Sequence, residues 1–362
     1  MAERIRVLLV IPRLNAGGAA RVSMRVARGL AERGYDVHLA VITGEPGGIT
    51  LDGITMHWLA ARRTRGGAWD LLRLARRLRP QVILSNMAHL NVVVLALRPV
   101  FPRGTRVLVR NDGGVHPEQL SWLRRRVFRL LHARADAVIC QSGSMRDELA
   151  GEVGDAKRLR VLPNPIAARV EACAERGRVL WRGPGPNLLA IGRLEPRKGF
   201  DLLLDAFAEV ASQVPGAQLA IVGEGPQRGK LAALAAELGI AGRVQFTGEV
   251  ADPERWFAGA TAFVLSSRED ALPNALLEAA AAGLPIVATP ARGGVPALLG
   301  CQPGAWIAKD ISAAALAASL TEALGALAPG ERLAHAWTEA FAWDHAIAGY
   351  DDLIRSVTRA AP

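Results

Sequence analysis

The 362-residue sequence is poor in aromatics, 5% in all, with only two tyrosines and three cysteines. Cys140, Cys173 and Cys301 stand far apart and follow no metal-ligand spacing. That excludes a disulfide-stapled scaffold and a zinc module, and reduced thiols in a cytoplasmic protein are the expectation. No apolar run approaches the ~20 residues that span a bilayer; the longest candidate is 91–97. The apolar stretch 7–11 is too short for a signal-peptide core and ends in Pro12. These absences lead to a cytoplasmic protein, either free or peripheral on the inner face of the cell membrane.

Half of the residues are hydrophobic and 22% are charged, the composition of a globular chain long enough for two domains. The charge is split. Residues 1–170 carry 28 Lys and Arg against 13 Asp and Glu, a balance of +15, and the remainder carries −5. Almost all of the cations are arginines. A basic half suits anionic lipid, nucleic acid or an anionic substrate. Nucleic acid is disfavoured, because no recognised module appears and aromatics are not interleaved with the basic stretches.

Short β-branched runs alternate with helical stretches. In the first half, strands are predicted at 5–11, 37–42, 54–59, 82–84, 106–109 and 137–140, with helices near 19–33, 68–78, 89–97, 119–133 and 143–150. The pattern restarts with strands at 187–191, 218–222, 244–246, 262–265 and 286–288, and helices near 199–212, 227–238, 274–282 and 311–326. Such alternation argues for parallel sheets covered on both faces. The Pro- and Gly-rich stretch 166–186, with a short helix near 167–175, reads as a linker between a domain at 1–165 and one at 187–340. Residues 341–362 close the chain as an amphipathic helical segment. Two Rossmann-like domains in tandem imply a ligand cleft at the carboxyl ends of their strands.

Three motifs carry chemistry. Gly17-Gly18 follows the first strand, where a bare backbone and a helix N-terminus suit an anion. A ligand-free turn reads the same way, and the spacing departs from G-x-G-x-x-G. Gly192-Arg193-Leu194-Glu195-Pro196-Arg197-Lys198-Gly199 follows the first strand of the second half. An Arg fork and a Lys point charge on one turn form a diphosphate clamp, against the plainer reading of a solvated charged loop. Asp270 and Glu278 stand eight apart, separated by Leu272, Pro273 and Asn274, which open a helix. Helix-dipole preference accounts for acids at 269 and 270. It does not account for Glu278, which falls among apolar neighbours. Gly223-Glu224-Gly225-Pro226 and Phe246-Thr247-Gly248 are turns that also suit a nucleotide base.

The order and spacing of these segments resemble the family-4 glycosyltransferases, the retaining group with the GT-B fold, along essentially the whole chain. The match runs from Ile11-Pro12 through Pro163-Asn164-Pro165 to Phe341-Ala342-Trp343-Asp344. The resemblance implies an α/β fold of two Rossmann-like domains with parallel sheets facing across a cleft, the last helix crossing back to the first domain. It implies that Gly17 and Gly18, Arg193 and Lys198 hold the diphosphate of a nucleotide-sugar donor, UDP-sugar by default. Glu278 would take the ribose and the backbone near Phe246 and Val250 the base, with Leu272, Pro273 and Asn274 alongside. Asp270 would contact the donor sugar, a departure from the usual Glu that leaves Glu269 as an alternative. Retention without a metal is implied, and no Asp-x-Asp motif is present. The acceptor, a sugar or lipid-linked glycan of the cell envelope, is expected near Asn86, His89, Asp112 and His116, with His116 also a candidate for charge stabilisation. A GT-B epimerase, transfer to a small natural product, and a basic nucleic-acid-binding protein are the competing readings. The basic, amphipathic stretch 122–132 is open to two readings: a contact with anionic lipid, or an ordinary surface helix with an apolar core face.

Overall fold

A computed structural model describes residues 4–14, 17–44, 50–59, 61, 66–111, 121–153, 155–166, 180–181, 185–250, 252–328 and 330–359. Asp112, His116, Cys173 and the helix expected near 167–175 lie outside them. The chain divides into two compact units, Met1–Pro165 with Ala340–Pro362, and Ile166–Glu339.

In the first unit, β1 (Arg6–Ile11), β2 (Asp36–Val41), β3 (Ile54–Trp58), β4 (Val82–Asn86), β5 (Arg106–Arg110), β6 (Ala137–Cys140) and β7 (Leu159–Val161) form one sheet in the order 3-2-1-4-5-6-7. Every pairing in it is parallel. The helices are α1 (Gly18–Glu32), α2 (Ala68–Leu78), α3 (Ala88–Leu97), α4 (Trp122–His132) and α5 (Gly143–Ala150). Strands buried on both faces need continuous apolar runs, and Val7–Ile11 supplies one, all five residues being buried.

The second unit contains β8 (Asn187–Ile191), β9 (Gln218–Val222), β10 (Val244–Gly248), β11 (Ala262–Leu265), a short β12 (Glu269–Asp270), β13 (Ile286–Ala288), a short β14 (Arg292–Gly293) and β15 (Ala305–Ile307). The main sheet runs 10-9-8-11-13-15, again all parallel, and β12 pairs with β14 beside it. Its helices are α6 (Phe200–Gln213), α7 (Arg228–Glu237), α8 (Asn274–Ala281), α9 (Val295–Leu299) and α10 (Ala313–Ala326). Alternate residues of each strand feed two separate cores. Leu188, Ala190, Leu219 and Ile221 pack with Leu203, Phe207, Leu316 and Leu320, while Leu189, Ala220 and Val222 pack with Leu276, Ala279 and Val295. This two-sided burial defines a Rossmann-like unit. Leu180 and Trp181, from the stretch read as linker, pack on the second core, Trp181 edge-on to Trp256 at 5.4 Å.

The last helix, α11 (Trp343–Arg359), belongs to the first unit. It packs on α1. Ile347, Tyr350, Leu353 and Ile354 enter the core formed by Val22, Val26 and Leu30. The helices approach so closely at Gly29 that a β-carbon there would stand 2.5 Å from Ile347 Cδ1.

Candidate active site

Each sheet reverses its strand order once, between β1 and β4 and between β8 and β11. In open parallel sheets, ligands bind beyond the carboxyl ends of strands flanking such a reversal. In the second unit, the residues there are the loops 192–199 and 266–270.

The first loop is shaped by close backbone packing. The Gly192 and Leu194 amides donate to the Val222 and Glu224 carbonyls, both at 3.0 Å. A β-carbon at Gly225 would stand 2.5 Å from the Leu194 oxygen, and one at Gly223 would overlap the Gly192 oxygen. Glycines are therefore required where the turns after β8 and β9 stack. A 3₁₀ turn over Pro196–Lys198 then ends at Gly199, whose φ of +62° starts α6.

That turn aims Lys198 at Asp270. The two side chains form an ion pair and are 14% and 9% exposed, so solvent screens it little. Ser267 Oγ donates to the same Asp270 oxygen at 3.3 Å. The aliphatic stem of Lys198 passes over Gly192, where an added β-carbon would lie 3.7 Å from Cδ. The two loops are cross-tied. Ser266 Oγ donates to the Lys198 carbonyl at 2.9 Å, and the Arg268 amide to the Arg197 carbonyl at 2.8 Å. Arg268 Nη1 reaches the Pro196 carbonyl at 2.8 Å. Its fork also grips Asp201 at 2.8 and 2.6 Å, holding that carboxyl below the usual range. Asp270 is fixed through its backbone as well, since Gly294 N donates to its carbonyl at 3.2 Å.

Glu278 is buried on α8, and Leu272 is buried just ahead of that helix. Pro273 caps α8 and Asn274 is its first residue. Arg193 is exposed and pairs with Glu195 at 3.1 Å rather than with Asp270. Phe246 and Val250 are partly buried at the end of β10 and beyond it. The structure thus joins Lys198 to Asp270 and leaves Arg193 on the outer side of the same turn. Sequence reading missed Asp201, Ser266, Ser267 and Arg268. The signal was a polar run directly after a buried strand.

In the first unit, Gly17 (φ +77°) precedes α1, whose first turn begins at Gly18. Asn86 is buried, and its polar atoms are spent within the protein. Its amide donates to the Ala19 carbonyl and to Ser23 Oγ, both at 2.8 Å. Its oxygen accepts from Arg110 at 3.1 Å and from the Met87 amide at 2.9 Å. Arg110 is 2% exposed and also donates to Asn164, so a buried cation ties β4 and β5 to the segment after β7. Tyr350 of α11 reaches the same place; burial raises its hydroxyl pKa and the neighbouring Arg110 opposes the rise. His89, one residue into α3, is exposed. Among the described residues no three His, Cys, Asp or Glu side chains gather as metal ligands.

Residues 16–169 match the family model "Glycosyltransferase Family 4", and residues 185–325 match "Glycosyl transferases group 1". The lipopolysaccharide core biosynthesis glycosyltransferase LpsE of Rhizobium meliloti is 28% identical over 286 residues, covering 76% of this chain and 77% of that one. A GDP-mannose-dependent alpha-(1-6)-phosphatidylinositol monomannoside mannosyltransferase of Mycobacterium tuberculosis is 33% identical over 219 residues, 54% of this chain and 55% of its own length. In fold, the chain superposes on Anabaena Alr3699/HepE in complex with UDP and glucose with a TM-score of 0.82, at 18% identity, over 98% of this chain and 100% of that one. With both halves matched by models of one group and both units built as Rossmann-like sheets, the chain belongs to the group-1, family-4 glycosyltransferases and has the GT-B fold.

Proposed function

We propose that this glycosyltransferase takes its sugar from a nucleoside-diphosphate donor, by default a UDP-sugar, and passes it with retention and without a metal to a sugar or lipid-linked glycan of the cell envelope. The observation that carries the reading is the Lys198–Asp270 pair at the strand-order reversal of the second sheet. It sets a fixed cation beside a carboxylate, the two groups a diphosphate-sugar needs. As the bond from the sugar to the diphosphate breaks, negative charge grows on the departing phosphate. A cation already in place stabilises that charge more than it stabilises the ground state.

Arg193 supplies a second cation from the same turn. Its exposed pair with Glu195 is worth at most about 1 kcal/mol, so exchanging Glu195 for a diphosphate costs little. Asp270 accepts from a sugar hydroxyl and Glu278 from the ribose. The relative named for lipopolysaccharide core biosynthesis supports an envelope glycan as acceptor. UDP and glucose in one structural neighbour support the uridine donor, and the mannosyltransferase relative makes GDP its rival.

The test is a screen of UDP- and GDP-sugars that reads released nucleoside diphosphate, with and without lipid-linked acceptors. One base should be preferred. Lys198→Ala should lower kcat/KM by about 10²–10³, the usual effect of removing one charge-stabilising group. Glu278→Ala should weaken donor binding. Unchanged kinetics in both variants would remove the assignment.

A further inference from the structure

Helix α4 turns its apolar side away from the protein. Its buried residues are Phe128 and His132, one turn apart on the core-facing side. At about 100° per residue, Trp122, Leu123, Val127 and Leu130 fall on the opposite side, and they are 75%, 56%, 45% and 61% exposed. Phe128 and His132 hold the core contact of this helix, and the aliphatic stripe with its tryptophan faces out. The stripe does not stand alone. Helix α3 packs beside α4 and runs on into a 3₁₀ turn at Arg98–Val100. Six of the eight large hydrophobic side chains exposed among the described residues lie on these three elements, Val92 and Val100 completing the set. Concentration on one pair of packed helices marks an interaction surface, where scattered single residues would not.

The arginines of α4 divide by side. Arg125 and Arg129 lie on the inner flank and fasten the helix to buried Glu152, Arg129 Nε at 3.0 Å, with Arg125 holding the Glu152 carboxyl below the usual range. Arg126 lies within the outward stripe, and exposed Arg124 lies on the flank across the helix from Arg125 and Arg129. Neither side chain has a hydrogen bond or ion pair among the described residues.

Charge selects the occupant. A second copy docked face to face would bury Arg126 of both copies in one interface to which α3 and α4 bring no acid, because a two-fold interface sets the same patch against itself. An anionic bilayer accepts both features at once: the apolar side chains enter the headgroup–acyl boundary, and the guanidinium groups meet lipid phosphates. The first 170 residues, with a net charge of +15, add attraction of the same sign. No helix among the described residues is long and apolar enough to cross a membrane, so the contact is peripheral.

We propose that α4 seats the chain on an anionic phospholipid surface, with Trp122, Leu123, Val127 and Leu130 in the interface and Arg124 and Arg126 on lipid phosphates. This does not depend on the donor or acceptor of the transferase. The full chain is floated with vesicles of phosphatidylcholine, alone or mixed with phosphatidylglycerol. Binding is expected to the mixed vesicles only, weakening as salt rises. The Arg124→Ala/Arg126→Ala double variant should lower the partition coefficient about thirtyfold, the effect of two arginines at an anionic surface. Trp122→Ala/Leu130→Asp should lose binding as well. Each should keep the wild-type unfolding midpoint, because the altered side chains are exposed. Trp69→Ala, at another exposed tryptophan, on α2, should bind as wild type. Absence of binding to the mixed vesicles, binding unchanged in both α4 variants, or a self-associated species that Trp122→Ala/Leu130→Asp dissolves would each overturn the proposal.

Discussion

At position 199 the backbone has a φ of +62°, and a β-carbon there would overlap the Ser266 carbonyl oxygen. That carbonyl belongs to the loop that also holds Lys198 through Ser266 Oγ. Gly199→Ala must therefore adopt an unfavourable backbone or push the two loops apart. The expected loss is about 3 kcal/mol or more in the urea unfolding of the second unit. Donor affinity should fall with it, because the turn that aims Lys198 moves. Wild-type stability in this variant would show that the loops can separate freely. The Lys198–Asp270 pair explains why both residues matter beyond their charge: removing one partner leaves the other buried and unpaired, typically at about 3–5 kcal/mol.

Helix α4 is moored by a histidine that resists protonation. His132 stacks on Phe128 with ring centroids 3.7 Å apart, and its Nδ1 lies 3.0 Å from the Phe128 carbonyl. That contact assigns the proton to Nδ1, while the buried Nε2 has no partner among the described residues. Burial pulls its pKa from 6.5 to about 4. As pH falls, the unfolded chain takes up this proton first, so the stabilisation is intact above 6.5 and is lost between 6.5 and about 4. Between pH 7 and pH 5 the first unit should lose about 2 kcal/mol from this group, read as the shift in urea midpoint. His132→Leu should remove most of that slope; an identical slope in the variant would refute the assignment. His57, which burial also pulls down, contributes in the same direction and stays in both proteins.

Elements of this kind differ in how far the sequence displays them. Strands such as Gln218–Val222, apolar and buried from Leu219 onward, are legible because both faces must be buried. The strands Leu159–Val161 and Ala305–Ile307 escaped because neither is a buried run: Arg160 and Val161 are exposed, and Ala305–Ile307 is only partly buried. The pairing of Glu269–Asp270 with Arg292–Gly293 is backbone work and leaves no side-chain pattern. The site shows the same division. Lys198, Asp270 and Glu278 stand out by type and spacing, but nothing in the sequence says that two of them, 72 residues apart, form one pair. On α4 the periodicity was visible, and its direction was not: a moment gives the angle between apolar and polar sides without saying which side meets the core.

Over the whole chain the positive charge is concentrated in the first 170 residues, while the remainder, which holds the Lys198–Asp270 pair, is net negative. A diphosphate held as proposed in the second unit would depend on local cations, Lys198 and Arg193, rather than on a general field. If those two do the work that a divalent ion performs in other transferases, a chelator should leave turnover within about twofold of the untreated enzyme. A complete loss restored by magnesium would count against the proposed chemistry.

The first unit takes α11 from beyond the second, its two pieces separated by Ile166–Glu339. During synthesis at roughly 5–20 residues per second, the face of α1 around Gly29 stays uncovered until that intervening stretch has been made. The delay is on the order of ten seconds or longer. The second unit, contiguous in the chain, is complete before its predecessor. Folding on the ribosome thus inverts the order of translation, and the half-built sheet with its bare helix is the species that a chaperone would meet.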